Sequence, residues 1–191
     1  MTKRYFWGAI VLGASILAAR ADIIPTLSNT VANGANFTWN YSANVTAQQT
    51  VNTGDFFTIF DFGNFVAGSN QQPTGWVFSS ALTGITPGTV IPNDNPNLLN
   101  LTWTYEGATP ITGAQALGTF SVDTTTNQLL TGSFVSEATL NSGPNAGTKI
   151  DNVGTVSVPV PEMSALLPIL SVCGASLLSL LPGYLRRRQA S

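Results

Sequence analysis

Apolar and polar residues alternate with a period of two along the middle of this chain and run together at its two ends. Phe37-Thr38-Trp39-Asn40-Tyr41-Ser42 alternates strictly, which puts three aromatic side chains on one face of a strand. Leu99-Asn100-Leu101-Thr102-Trp103-Thr104-Tyr105-Glu106 repeats the pattern. Phe56-Phe57-Thr58-Ile59-Phe60-Asp61-Phe62 is apolar on both faces at first and then alternates, which predicts a more deeply buried strand. Residues 75–80, 115–122, 132–140 and 152–158 are further strand candidates. Turn clusters separate them, among them Gly68-Ser69-Asn70, Thr86-Pro87-Gly88, Pro92-Asn93-Asp94-Asn95-Pro96 and Asn141-Ser142-Gly143-Pro144-Asn145. No window between the ends has a helical period of useful length. Short strands with turns between them predict a mainly β chain, a single antiparallel β-sandwich or barrel-like domain. A repetitive solenoid is the structural alternative, and no fixed internal period supports it.

The apolar ends have different signatures. Residues 1–21 carry Lys3 and Arg4, an apolar stretch and a small-x-small site at Ala19-Arg20-Ala21, the three parts of a secretory signal peptide cut before Asp22. An uncleaved first membrane helix is the alternative, although the apolar stretch is short for a span. Residues 165–185 contain no charge, and about 21 residues at about 1.5 Å of rise match a hydrocarbon core of about 30 Å. The expectation is a C-terminal transmembrane helix. Pro168, Gly174 and Pro182 are tolerated in membrane helices, and Arg186, Arg187 and Arg188 orient the basic tail of residues 186–191 to the cytoplasm. Cys173 reads as a small residue inside the apolar run. Between the ends lie an exported domain over residues 22–157 and, over residues 158–164, a Pro-rich extended spacer with a short polar mark.

That mark is Val160-Pro161-Glu162-Met163-Ser164. Followed by an apolar helix and an arginine run, it resembles the PEP-CTERM sorting signal of exported bacterial proteins, with Met163 standing where the family usually has a second proline. The resemblance covers about 30 residues. It implies a Gram-negative setting and a membrane partner, an exosortase-type enzyme that recognises and processes the tail. The protein would then be membrane-anchored or released to the cell surface or extracellular matrix. Asp55-Phe56-Phe57-Thr58-Ile59-Phe60-Asp61-Phe62-Gly63, with Gly75-Trp76 and Leu101-Thr102-Trp103-Thr104-Tyr105 downstream, is also similar to the middle of other such proteins whose activity is unassigned.

Composition narrows the chemistry. Of the seven basic residues only Lys149 lies in residues 22–157, against Asp22, Asp55, Asp61, Asp94, Glu106, Asp123, Glu137 and Asp151. An acidic domain lacks the basic footprint that nucleic acid demands. The chain has no histidine and its one cysteine is in the tail, so Ser-His-Asp and Cys-His catalysis and histidine- or thiolate-bound zinc are excluded in their usual forms. Paired carboxylates remain, and Glu106 and Glu137 are the only glutamates of the domain, each placed by alternation on a solvated face. Asn93-Asp94-Asn95 offers oxygen ligands for calcium but follows no complete loop pattern, and a plain turn explains it. Trp39, Trp76 and Trp103 suit either a sugar-stacking platform or a core, and their period-two placement favours the core. The sequons at Asn36, Asn40, Asn44 and Asn100 follow from composition. No catalytic site, cofactor or metal is expected. The expected role is structural or interactive, with a carbohydrate-binding module of the envelope or exopolysaccharide as the alternative.

Overall fold

The computed structural model describes residues 23–161, which form β-strands joined by turns and loops with no helix among them. In chain order the strands are β1 (Ile23–Asn33), β2 (Asn36–Val45), β3 (Gln49–Val51), β4 (Phe56–Phe62), β5 (Trp76–Ala81), β6 (Leu99–Tyr105), β7 (Ile111–Thr112), β8 (Gln115–Thr124), β9 (Leu129–Leu140) and β10 (Lys149–Pro159). They make two antiparallel sheets. The smaller has the order β1-β2-β8, and the larger runs β5-β6-β4-β9-β3-β7 with β10 paired to β9. Both sheets contribute to one apolar core, which includes Trp39, Tyr41 and Phe120 from the smaller and Phe57, Trp103 and Phe134 from the larger. The mainly β, antiparallel architecture is therefore the expected one, in a sandwich-like arrangement.

The alternation explains which residues face inward. Trp39, Tyr41, Ala43 and Val45 are buried along β2, while Thr38, Asn40, Ser42 and Asn44 alternate with them. Strand β4 is apolar on both faces because both are covered. Phe57 and Ile59 enter the main core, and Phe56 and Phe60 form a second cluster with Val135, flanked by Val90 and Val153. That outer cluster lies beneath the loop of residues 82–98, which is pinned along its length. Ile85 O accepts from Thr58 Oγ1 at 3.4 Å, Thr89 hydrogen-bonds Asp151 and Asn93 N donates to Ser133 Oγ at 3.4 Å.

Residues 23–33 were not among the strand candidates, and β10 runs one residue past its candidate. Strand β1 has no clean alternation because its register slips between Leu27 and Asn29, which reverses the phase of inward positions. Pro159 was expected in the spacer of residues 158–164, and Val158 both there and at the end of the 152–158 strand candidate; both close β10. Val158 is fully buried opposite Leu130, and Pro159 ends an edge strand, where a missing N–H is tolerated. The described residues reach Pro161. Residues 1–21 with Ala19 and Ala21, the remainder of the spacer (Glu162, Met163 and Ser164), residues 165–185 and Arg186, Arg187 and Arg188 lie outside the described residues.

Candidate functional site

The feature of the domain closest to an expected functional motif is the clamp on its C-terminal exit. Strand β4 ends in a bulge, its register slipping between Ile59 and Phe62, and Asp61 and Asn64 both take left-handed backbone with φ of 57°. Asp and Asn accept that conformation more readily than other side chains with a Cβ. The resulting bend brings Gly63 against the last described residues. A Cβ on Gly63 would sit 2.8 Å from Pro161 N, 2.9 Å from Pro161 Cα and 2.9 Å from Pro159 O, so the chain passes over a spot only glycine leaves open. Asn64 Nδ2 donates to Val160 O at 3.1 Å, and Val160 N donates to Gln128 O at 2.9 Å. Of the motif Val160-Pro161-Glu162-Met163-Ser164, the first two residues are thus docked on the body of the domain. Gly63 and Asn64 were not identified as site residues from sequence. Gly63 closed a recognised stretch, but nothing local to it points to a segment about 100 residues away.

The same stretch holds two other ties. Asp55 is fully buried; Asn52 N donates to its Oδ2 at 2.8 Å and Thr139 Oγ1 at 3.2 Å, while Lys149 Nζ lies 3.3 Å from Oδ1. Burial raises the Asp55 carboxyl above its usual range, against the opposing pull of Asn52, Lys149 and Thr139. Desolvation lowers Lys149, but its hydrogen bond to Glu137 and the charges of Asp55 and Glu137 outweigh it and hold the ammonium above its usual value. Asp61 Oδ1 accepts from Asn95 N at 2.7 Å, and Asp61 N donates to Asn100 Oδ1 at 2.9 Å. Burial raises this carboxyl too, Asn95 opposes the rise and the nearby Asp94 adds to it.

The remaining candidates do not converge. Glu106 is exposed just past the end of β6, whereas Glu137 faces outward on β9 and pairs with Lys149. Thr104, Phe56 and Glu137 lie side by side on β6, β4 and β9, so two strand spacings, about 10 Å, separate even the nearest row from Glu137. Glu106 lies two residues beyond that row, outside the usual reach of a glycosidase carboxylate pair. In the loop Asn93-Asp94-Asn95, Asp94 Oδ1 accepts from Asn100 Nδ2 at 3.0 Å and Asn95 Oδ1 accepts from Asn97 N at 3.1 Å, the bonding of a tied turn. Among the described residues no group of three or more His, Cys, Asp or Glu side chains is placed to hold a metal.

Trp39, Trp76 and Trp103 are core residues. Trp39 Nε1 donates to Thr126 O at 3.0 Å, Trp76 meets Phe120 edge-on at 5.1 Å and Trp103 stacks on Phe57 at 5.1 Å. The Asn100 sequon is buried with its amide engaged. In comparisons with known proteins, no family model matches the chain, no curated protein matches it and no solved structure matches it.

Proposed function

We propose that residues 23–161 are the displayed domain of an exported protein sorted through a PEP-CTERM-like tail, with a structural or interaction role at the cell surface or in the extracellular matrix. The order of parts carries this reading. The described β body runs to Pro161, and in the sequence Glu162-Met163-Ser164, an uncharged run over residues 165–185 and three arginines follow it directly. The partners are the membrane and an exosortase-type processing enzyme. The ties built by Asp55, Asp61, Gly63 and Asn64 hold loops and chain ends together, which suits a durable scaffold. A carbohydrate-binding role would have to rest on the exposed amides and hydroxyls, because the three tryptophans are buried.

Mass spectrometry of the native protein recovered from each cell fraction tests the proposal. The expected product begins at Asp22 and ends near Glu162, in the surface or matrix fraction. An intact Met1 end in the cytoplasm would overturn export. An intact Arg186-Arg187-Arg188 end confined to the inner membrane would replace sorting by processing with a permanent anchor.

A further inference from the structure

We infer that the folded domain holds its own sorting segment closed, so that a processing enzyme reads Val160 and Pro161 only after this end of the domain opens. The inference rests on the sorting reading above. Enzymes that act on a peptide bond commonly bind their recognition segment as an added strand, through main-chain hydrogen bonds. In Val160 both main-chain groups are already engaged, the N–H with Gln128 O and the C=O with Asn64 Nδ2. Pro161 has no N–H to offer. On the Gly63 side there is no room for even a methyl group between the body and the 159–161 segment.

Upstream, Pro159 is buried and continues the β9–β10 ladder opposite Leu129. Val160 is the only residue of the 159–161 segment with an N–H and that N–H is taken, so the segment offers an incoming enzyme no free main-chain donor until the clamp lets go. Release requires little of the fold to change. The Asn64 bond, the Val160–Gln128 bond and the Gly63 contact must break, while the buried core stays intact, as in the fraying of a strand end. Gly63 and Asn64 are positioning residues. They set how often the motif is presented, and they take no part in its chemistry.

The test is cleavage after Glu162 by a Glu-specific endoprotease, using the full chain in detergent micelles and a free peptide of residues 158–166 as the unclamped reference. Cleavage within the folded chain reports the population of the opened end when opening and closing are fast. The full chain is expected to be cut at Glu162 at least about tenfold more slowly than the peptide, on the scale of losing a pair of main-chain contacts. Asn64→Asp keeps the size and backbone tolerance of the side chain but removes the donor, and it should raise the rate about fivefold. Gly63→Ala should raise it by a separate route, through the close approach to Pro161.

Glu137, inside β9, reports global unfolding in the same digest, and its cleavage should not change in either variant. Equal rates for chain and peptide, no acceleration in either variant, or acceleration at Glu137 in step with Glu162 would each overturn the clamp. The sorting reading fails separately. If the digest shows the gating but the tail is uncut in every cell fraction for wild type and variants alike, sorting by processing falls and the clamp remains as a lock on a permanent anchor.

Discussion

At the scale of single residues, the stretch from Asp55 to Asn64 joins parts of the chain that are distant in sequence. Asp55 satisfies the turn at Asn52, reaches Thr139 on β9 and faces Lys149 on β10. Asp55→Ala would leave the part-buried Asn52 N–H and the buried Thr139 hydroxyl without their acceptor, at a cost of about 2 kcal/mol in urea denaturation. Asp55→Asn should cost clearly less, because burial already favours the neutral form of this side chain. The sign follows from its raised pKa: this group stabilises the fold most below its unfolded value of about 3.9, and that contribution falls as pH rises through the folded value. An Asp55→Ala variant within about 0.5 kcal/mol of wild type, the ordinary range for a surface change, would show that the tie is idle.

At the scale of elements, β9 and β10 form the longest antiparallel pair, and its packing depends on two glycines. Gly154 lies opposite Phe134, and a Cβ there would come within 2.5 Å of the phenyl ring; Gly132 lies opposite Val156, with a Cβ 2.8 Å from the Val158 side chain. The glycine leaves space that its neighbour's side chain fills. Gly154→Ala should therefore destabilise by about 2 kcal/mol, since the ring must leave its place in the core. In a Phe134→Leu background the same substitution should cost less, so thermal melts of the four-variant cycle would show the coupling. Additive effects would place the cost elsewhere. Strands β2 and β6 were legible because their inward positions keep one phase, and β4 because it is apolar on both faces. In β1 the bulge reverses that phase, and β3 and β7 are too short for any period to show.

At the scale of the whole molecule, the chain enters and leaves the sandwich at opposite ends. Ile23 pairs with Val45 at one end of β2, whereas Phe37 at the other pairs with Thr124. Trp39 reaches Thr126 on the Phe37 side, close to the Gln128–Val160 contact. A ten-residue strand separates the two ends, roughly 33 Å. Charge is a second property of the whole. Lys149 is the only cation of residues 23–161, and it is shared by Asp55 and Glu137. Its raised pKa means that its contribution is complete below the unfolded value of about 10.4 and is lost as pH rises through the folded value. Urea midpoints of wild type and Lys149→Met should therefore differ most below about pH 10 and converge above it. Tyr41, whose phenol is also raised by burial, weakens both proteins alike in alkali and cancels in the comparison. A constant gap across the range would contradict the role given to Lys149.

The sequence by itself determined the β class, the inward faces of β2 and β6, the deep burial of β4, and the candidacy of the tryptophans for the core, because each depends on a local pattern that burial must respect. It also determined that no histidine of this chain can serve as a base or a ligand. Only the tertiary structure decided that Pro159 belongs to a strand, that Asp55 meets Lys149, and that Gly63 and Asn64 hold Val160 and Pro161. The contacts of Asp55, Gly63 and Asn64 join residues about 100 positions apart, between segments with no shared period, and their geometry exists only once both sheets have closed on one core.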